Sequence, residues 1–479
     1  MKPAQYAPGF GLFPVSQAPA GRNGTGITPP GNRAQPKRFA PGRTPSVWIG
    51  WTVVSLCLSP NLAMGQRLAE YELPPTLYST TEPENLISRL QARIDGGELQ
   101  LLGDQEQDTL RRCLEALGVS VDTQVLVFSK TSLQRNRIHP ASPRALYFSD
   151  DTYVGWVPGG LLEIATTDPK LGLVFYRLDI RRAARPPRFD RDNDCLSCHA
   201  GPHTRQWPAL IIRSVFPDAS GEPIARAGSF LTDHTSPLAE RWGGWYVTGQ
   251  HGAARHMGNA IAHEDGHEIR LDREAGANVS RLEDRLSTER YLRADSDLVA
   301  LMVLEHQVTM HNLLAEGALR VRRWLHYQTA LQQELGEPVT PEPTGTALRV
   351  IETETRRILD GLLFRNEASL AEGGVSGHPE FPVAFRANRR ADAQGRSLKD
   401  LNLRTRLFEY RCSYLIHSDA FTRLPAPLRT RIYRALQRGL DSAAPEAPFE
   451  HLAADERRAI SEILTATQPE WLSEAQAAP

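Results

Sequence analysis

Cysteine is scarce in this sequence, and the few cysteines that occur are unevenly spaced. The 479 residues contain five cysteines. A secreted fold that depends on disulfides carries a much denser set, so this number does not indicate a disulfide framework. We therefore expect a core built from apolar packing, in which Cys113 and Cys412 are small buried side chains in helical surroundings.

Long apolar runs and a strong net charge are also absent. The N-terminal apolar stretch "VWIGWTVVSLCLS", residues 47–59, has 13 residues, whereas a bilayer-spanning helix needs roughly 20. The formal net charge is −1. The sequence therefore predicts no transmembrane span in the mature chain and does not favour a nucleic-acid partner.

The first 65 residues contain no acidic residue. Six basic residues precede the apolar stretch, and Ala63 and Gly65 follow it in a small-x-small arrangement. This layout is typical of a secretory signal peptide, although the part ahead of the apolar stretch is unusually long. We interpret residues 1–65 as a leader that is removed on export, with an uncleaved membrane anchor as the alternative.

Removal of this leader changes the charge balance of the chain. The leader contains six of the 55 basic residues and no acidic residue. Its removal leaves 49 basic residues against 56 acidic ones, a formal charge of −7. This charge again argues against binding to nucleic acid. We expect a periplasmic or otherwise exported protein, for which peripheral association with a membrane remains open.

The hydrophobic pattern changes along the chain and indicates an α+β fold. Two stretches of helical periodicity precede residue 120, and five short runs rich in Val, Tyr, Phe and Leu follow between residues 123 and 179. These runs are separated by Pro, Gly and Asp, as in a mostly antiparallel sheet. We assign residues 66–181 to a sheet-containing α+β region, 182–279 to a loop-rich segment, and 280–479 to an all-helical region whose first long helix has Ser296 and Asp297 as N-cap candidates.

The loop-rich segment contains the stretch "DNDCLSCHAG", with Cys195, Cys198 and His199. Three chemistries use Cys-x-x-Cys: thiol redox, zinc binding and covalent haem attachment. The polar and acidic approach "FDRDND" does not favour a reactive thiolate. For zinc, His203 would complete four ligands, but adjacent Cys198 and His199 do not easily occupy two corners of one tetrahedron, and no second cysteine pair exists.

Covalent haem accounts best for Cys-x-x-Cys-His. The two thiols are spaced to react with the two haem vinyl groups, and the adjacent histidine coordinates the iron. An upstream export signal agrees with this reading, because c-type haem is attached outside the cytoplasmic membrane. We therefore interpret residues 182–279 as a haem c segment with one covalent haem, attached through Cys195 and Cys198 and ligated by His199.

The motif resembles that of c-type cytochromes. The wider runs "CLSCHAG", "GGWYVTG", "RHMGN" and "SDLVALMVLEHQ" resemble large exported bacterial proteins that contain a cytochrome c domain, over roughly residues 140–312. This resemblance implies haem binding and electron transfer to a redox partner protein, and it supplies no substrate. The chain is about four times as long as a small cytochrome c, so a peroxidase-like haem enzyme with an open distal site and a zinc-stabilised binding module remain alternatives.

The second axial ligand is sought among histidines and methionines. His256 and Met257 lie together in "RHMGN", and His306 lies on an apolar helical stripe with Met302 and Met310. His306, Met257 and His256 are thus candidate distal ligands, and an open site is the further alternative. Two arginines, Arg241 and Arg255, are candidates for contacts with the haem propionates, because a guanidinium binds a carboxylate in bidentate fashion.

Overall fold

A computed structural model describes residues 69–181, 187–370 and 372–476 of the chain. The predicted leader, residues 1–65, lies outside the described residues. From Gln66 onward the chain forms one compact unit. The boundaries predicted at residues 181/182 and 279/280 therefore mark segments of the sequence within this unit.

Eleven strands are formed by the described residues, and most of them lie in the first half of the chain. The five runs predicted as strands between residues 123 and 179 form the first five strands. The strands are β1 (Val125–Val127), β2 (Arg144–Phe148), β3 (Thr152–Trp156), β4 (Leu162–Asp168), β5 (Gly172–Leu178), β6 (Phe189–Arg191), β7 (Arg213–Val215), β8 (Ser229–Leu231), β9 (Trp245–Tyr246), β10 (Ala262–Asp265) and β11 (Glu268–Leu271).

Seven of these strands form one antiparallel sheet in the order β6, β5, β4, β3, β2, β1, β9. Short Gly- and Asp-containing turns connect β2 through β5, so strands that follow one another in sequence are neighbours in the sheet. The strand β6 lies at one edge. This edge leads directly into the Cys-x-x-Cys-His segment.

Apolar residues cover both faces of the sheet. Alternate residues along a strand point to opposite faces, and the two buried clusters divide along this alternation. The face that packs against the C-terminal helices includes Val125, Val127, Tyr153, Ala165 and Phe175. The opposite face, which packs against the N-terminal helices, includes Leu126, Tyr147, Val154, Trp156 and Ile164.

The helices lie mainly before and after the sheet. Their bounds are α1 (Leu86–Asp95), α2 (Glu106–Ala116), α3 (Leu196–His199), α4 (Leu298–Glu334), α5 (Gly345–Leu362), α6 (Glu380–Arg386), α7 (Asp419–Thr422), α8 (Ala426–Asp441), α9 (Ala454–Thr467) and α10 (Glu470–Gln476). The α+β class is therefore confirmed: a sheet-containing N-terminal region is followed by a helical C-terminal region.

The long helix α4 connects the two regions. Its N-cap is Asp297, one of the two predicted cap residues, whose carboxylate accepts a hydrogen bond from the backbone N–H of Ala300 at 2.7 Å. The helix begins at Leu298. Between residue 280, the start of the region predicted as helical, and this point, the only helical element of the described chain is a short 3-10 turn, Thr288–Arg290. None of the described helices combines the length and the hydrophobicity that crossing a bilayer requires.

Candidate functional site

The cysteine segment begins at the sheet edge. After β6, the Asp192 carboxylate accepts a hydrogen bond from the backbone N–H of Asp194 at 2.9 Å and so caps the turn that enters α3. The same side chain forms an ion pair with Arg177 of β5 at 2.7 Å. The turn that presents Cys195 is therefore fixed to the sheet by a buried carboxylate.

A cleft separates this segment from the sheet and α4. It has about 900 Å³ of empty space, part of which is open to solvent. Cys195, Cys198 and His199 all line it, and we call it the cysteine cleft. The sheet, residues 210–212 and α4 supply its apolar walls, which include Leu146, Ala165, Phe175, Leu210, Ile212, Trp245, Leu304 and Val308.

The two cysteines of the cleft differ in their surroundings. Cys195 is half-buried and Cys198 is exposed, and neither forms a disulfide. Burial and the nearby Asp192 carboxylate raise the pKa of the Cys195 thiol to about 12. Cys195 is therefore a neutral thiol near pH 7, as the acidic approach in the sequence predicts.

The His199 ring is held in one orientation by the backbone of Ala209. The ring Nδ1 lies 2.8 Å from the Ala209 carbonyl oxygen, and the Ala209 N–H donates to the His199 carbonyl oxygen at 2.8 Å. A carbonyl oxygen only accepts, so Nδ1 carries the proton and Nε2 presents its lone pair. Burial lowers the pKa of His199, which keeps the ring neutral.

A side chain of α4 positions the segment that orients His199. Asn312 donates to the Leu210 carbonyl oxygen at 2.9 Å and accepts from the Leu210 N–H at 2.8 Å. On the other side of the ring, Phe175 lies with its centroid 4.5 Å from that of His199. The imidazole is thus supported by a backbone clamp and by an aromatic side chain from β5.

Two charged residues of the cleft lie on strands whose other cleft-lining residues are apolar. Arg144 of β2 and Glu163 of β4 form an ion pair at 2.5 Å, and both line the cleft. A Cβ atom at Gly155 of β3 would lie 2.2 Å from the Arg144 guanidinium, so the glycine provides the space in which this group rests. Sequence reasoning missed this pair, although charged residues inside buried strands are a signal of a polar site.

The residues of the cleft fit the covalent haem that the motif predicts. Both thiols and the imidazole face one cavity, and Nε2 of His199 is the ring nitrogen left for a metal ion. Apolar side chains form the walls, as expected around a large planar cofactor. Cys195 and Cys198 would hold the group covalently, and His199 would ligate its iron.

The candidate distal ligand His306 does not line the cysteine cleft. Its Nε2 lies 2.8 Å from the Ser413 hydroxyl, and its ring stacks on Phe364 with a centroid separation of 3.9 Å. Burial lowers the pKa of His306, as does the neighbouring His234. This fully buried imidazole is therefore neutral and packed into the helical core.

The other two candidate distal ligands lie near β9, also outside the cleft lining. Met257 is buried, and its sulfur accepts from the Ser214 hydroxyl at 3.5 Å. The Nδ1 of His256 accepts from the Gly258 N–H at 3.0 Å, and burial lowers the pKa of this ring to about 3. His306, Met257 and His256 thus lie outside the lining of the cleft that contains His199, and their role as iron ligands stays a prediction.

The two arginines predicted to contact propionates have carboxylate partners within the protein. The buried Arg241 pairs with Glu305 of α4 at 2.9 Å, and the more exposed Arg255 pairs with Glu274 at 2.7 Å. Neither lines the cysteine cleft. Arg144 is the arginine of the cleft wall and therefore the better-placed candidate for a propionate.

His203, the fourth residue considered for zinc, is exposed on the 3-10 turn Pro202–Thr204. Across the described ranges, no three His, Cys, Asp or Glu side chains are grouped so that they can hold a metal ion. The remaining described cysteines, Cys113 and Cys412, are both fully buried, as predicted for small core residues. Cys113 lies in α2 as expected, whereas Cys412 lies in a bend and not in a helix.

Comparison with known proteins gives no relative. No protein-family model, no curated protein sequence and no solved structure matches this chain.

Proposed function

We propose that this protein is an exported mono-haem c-type cytochrome that transfers electrons between partner proteins. The observation that carries the proposal is the common orientation of Cys195, Cys198 and His199 toward one apolar cleft, with the His199 ring fixed by the Ala209 carbonyl. The resemblance of the sequence to exported proteins with a cytochrome c domain supports the same reading.

Each residue of the motif has a distinct task in this proposal. Cys195 and Cys198 would hold the haem covalently through thioether bonds to its two vinyl groups. His199 would ligate the iron through Nε2, and the Nδ1–H bond to Ala209 would increase the electron-donating character of the ring. When bound, the iron supplies one-electron chemistry by cycling between its ferric and ferrous states.

The cleft walls control access of solvent to this centre. Phe175 packs against the axial imidazole, and Leu304 and Val308 of α4 close the apolar side. Cys198 is exposed, so this edge of the cleft lies at the protein surface. We assign electron exchange with the redox partner to this edge, because electron transfer requires close approach of the partner to the cofactor and not its entry into the protein.

Export rests on the leader over residues 1–65, whose basic start, apolar stretch and small-x-small end are typical of a signal peptide. The formal charge of −7 for the remaining chain supports a protein partner and gives no support to nucleic-acid binding.

The test is expression in a bacterium with an active haem c maturation system. We expect periplasmic protein that retains haem after acid-acetone extraction, and Cys195→Ala with Cys198→Ala together should abolish this retention. The matched control is His203→Ala, an exposed histidine four residues after His199, which should leave the haem content unchanged. Equal haem loss in all variants, or zinc in place of iron, would overturn the proposal.

A second candidate is a haem enzyme of the peroxidase type, in which the distal face binds a substrate. The observation that favours it is the cleft lining, in which the described residues include no methionine and only one histidine, His199. Carbon monoxide added to the reduced protein distinguishes the two. A shifted spectrum indicates an open site, whereas an unchanged spectrum indicates that a protein side chain occupies the sixth position.

A further inference from the structure

A second cavity lies beside the cysteine cleft, on the other side of one hydrogen-bonded pair of side chains. It has about 1140 Å³ of empty space, part of it open to solvent. We call it the aspartate cavity, and its lining includes Ser149, Asp151, Thr152, His311, Arg322 and Asp419. No residue of the Cys-x-x-Cys-His motif lines it.

Tyr153 and His311 connect the two cavities. Tyr153 of β3 lines the cysteine cleft, and His311 of α4 lines the aspartate cavity. The Tyr153 hydroxyl lies 2.6 Å from Nδ1 of His311. This short hydrogen bond therefore joins the wall of one cavity to the wall of the other.

The direction of this hydrogen bond is fixed by Gln307. The Gln307 amide nitrogen donates to the Ser149 carbonyl oxygen at 2.7 Å and to the Tyr153 hydroxyl oxygen at 3.0 Å, while its amide oxygen accepts from the Tyr414 hydroxyl at 2.5 Å. A carbonyl oxygen only accepts, so the amide cannot be reversed. The Tyr153 oxygen accepts from Gln307, and its proton is donated to Nδ1 of His311.

This direction fixes the tautomer of His311. Because Nδ1 accepts, the neutral ring carries its proton on Nε2. The His311 ring is 1% exposed, and Nε2 has no hydrogen-bond partner among the described residues. A buried donor without a partner is unfavourable because it has lost its hydrogen bond to water, and such groups are rare in native cores.

Asp151 is the acceptor closest to this donor. Its carboxylate oxygen lies 3.9 Å from Nε2 of His311, a gap that one bridging water or a small carboxylate movement closes. Asp151 lines the aspartate cavity, and its side chain is 37% exposed. The chain of groups therefore ends at a carboxylate with access to solvent.

We infer that Tyr153, His311 and Asp151 form a proton relay between the cysteine cleft and the aspartate cavity. The relay rests on the proposed function and deepens it. It would carry a proton through the protein whenever the cofactor in the cleft changes its charge. Its three members come from β3, from α4 and from the turn before β3.

The relay moves one proton without creating a charge on tyrosine or histidine. A water molecule in the cleft passes a proton to the free lone pair of the Tyr153 oxygen, and the hydroxide that remains offsets the positive charge that the cofactor gains on oxidation. Tyr153 passes its own proton to Nδ1 of His311, and His311 passes its Nε2 proton to the Asp151 carboxylate. The electron leaves separately to an external acceptor, and the reverse sequence accompanies reduction.

The charges around the relay suit this transfer. Burial lowers the pKa of His311 to about 4, and Asp150 acts in the opposite direction. Burial, together with Asp150 and Asp419, raises the pKa of Asp151 to about 7, while Thr167 and Lys399 act in the opposite direction. Near neutral pH the imidazole is therefore neutral, and Asp151 exchanges its proton readily with solvent.

The experiment measures proton release during oxidation of the holoprotein. Reduced protein is mixed with ferricyanide in weakly buffered solution at pH 7, while a pH-indicator dye and the haem band are followed together. We expect proton release with oxidation in the parent protein. In Tyr153→Phe and His311→Gln the release should be about tenfold slower relative to haem oxidation in the same sample. The matched controls are Tyr291→Phe and His451→Gln, whose hydrogen bonds go to backbone carbonyls outside both cavities.

The outcomes separate the relay from the proposed function. A normal haem band with no proton release in the parent protein, or with release at the parent rate in both relay variants, would overturn the relay alone. A protein without a covalent haem band would overturn the proposed function, and with it the coupling to oxidation.

The tautomer of His311 gives a second readout that does not need haem. Nitrogen NMR of histidine-labelled protein should assign the His311 proton to Nε2 at pH 7, with a signal lost in His311→Gln. A proton on Nδ1 would reverse the Tyr153–His311 hydrogen bond and would overturn the relay as described.

Discussion

Two arginines that look equivalent in the sequence have different roles at the scale of single residues. Arg241 is buried, and its guanidinium donates to Glu305 at 2.9 Å and to the Ser236 carbonyl oxygen at 2.7 Å. Arg255 contacts Glu274 near the surface. The sequence offered no means of distinguishing them, because the burial of Arg241 depends on helix α4, whose Glu305 is 64 residues away along the chain.

We predict that Arg241→Met destabilises the protein by about 3–5 kcal/mol, because it leaves the Glu305 carboxylate buried without its partner. Urea denaturation followed by circular dichroism measures this loss. The matched control, Arg255→Met, should leave the free energy of unfolding unchanged within error. Equal losses in the two variants would contradict the distinction between a buried and a surface ion pair.

The same carboxylate predicts a dependence on pH. Burial raises the pKa of Glu305 to about 7 in the folded protein, in opposition to Arg241, whereas an unfolded glutamate titrates near its ordinary value. The folded state thus binds more protons between these values, and its stability decreases as the pH rises from about 4.5 to about 7. Arg241→Met should therefore lose less stability at pH 5 than at pH 8, and a larger loss at pH 5 would contradict this account.

At the scale of elements, the sequence predicts β1 to β5, because each of these five strands is a short apolar run between turn residues. The short strands β6 and β9 of the same sheet lie in the segment assigned as loop-rich. The prediction does not extend to the order of strands, since β9 pairs with β1 across more than 100 residues. The site was predictable at Cys195, Cys198 and His199, where spacing carries the chemistry. Arg144 and the Tyr153–His311 pair were not, because only the folded sheet and α4 bring them together.

Helix α4 acts on the site through Asn312, which binds both backbone groups of Leu210. We predict that Asn312→Leu costs about 1–3 kcal/mol, because backbone groups in the cleft wall lose their partners. It should also lower the yield of covalent haem, since Ala209 no longer holds the His199 ring firmly. The measurements are urea denaturation and the ratio of haem to protein.

The control on the same helix is Thr309→Val, whose hydroxyl donates only to the Glu305 carbonyl oxygen within α4. This variant should retain the haem yield of the parent protein. A parent-like haem yield in Asn312→Leu as well would show that the Leu210 segment does not position His199.

At the scale of the whole molecule, the sheet is covered on both faces, and the helical region provides one of the two covers. The larger buried cluster combines Val125 and Phe175 of the sheet with Leu304 of α4 and Trp471 near the C-terminus. If the helices were removed, this face of the sheet would be exposed, and an exposed apolar face promotes aggregation. The segment boundary predicted at residues 279/280 therefore crosses a continuous core.

We predict that a fragment of residues 66–279 does not fold cooperatively, because the sheet loses the helices that cover one face. Thermal unfolding followed by circular dichroism, together with binding of a hydrophobic dye, tests this. The fragment of residues 66–479 serves as the control and should show a cooperative transition without dye binding at room temperature. Cooperative melting of the short fragment would identify the sheet region as an independent domain.

The central claim is that the cysteine cleft holds one covalent haem, and a pyridine haemochrome spectrum of the purified, acid-acetone-extracted protein tests it most directly. We predict one haem per chain, with the band position of a haem whose two vinyl groups are both converted to thioethers, and loss of that band when Cys195 and Cys198 are replaced by alanine. An extracted protein without haem, or with a spectrum that survives both cysteine replacements, would contradict the claim.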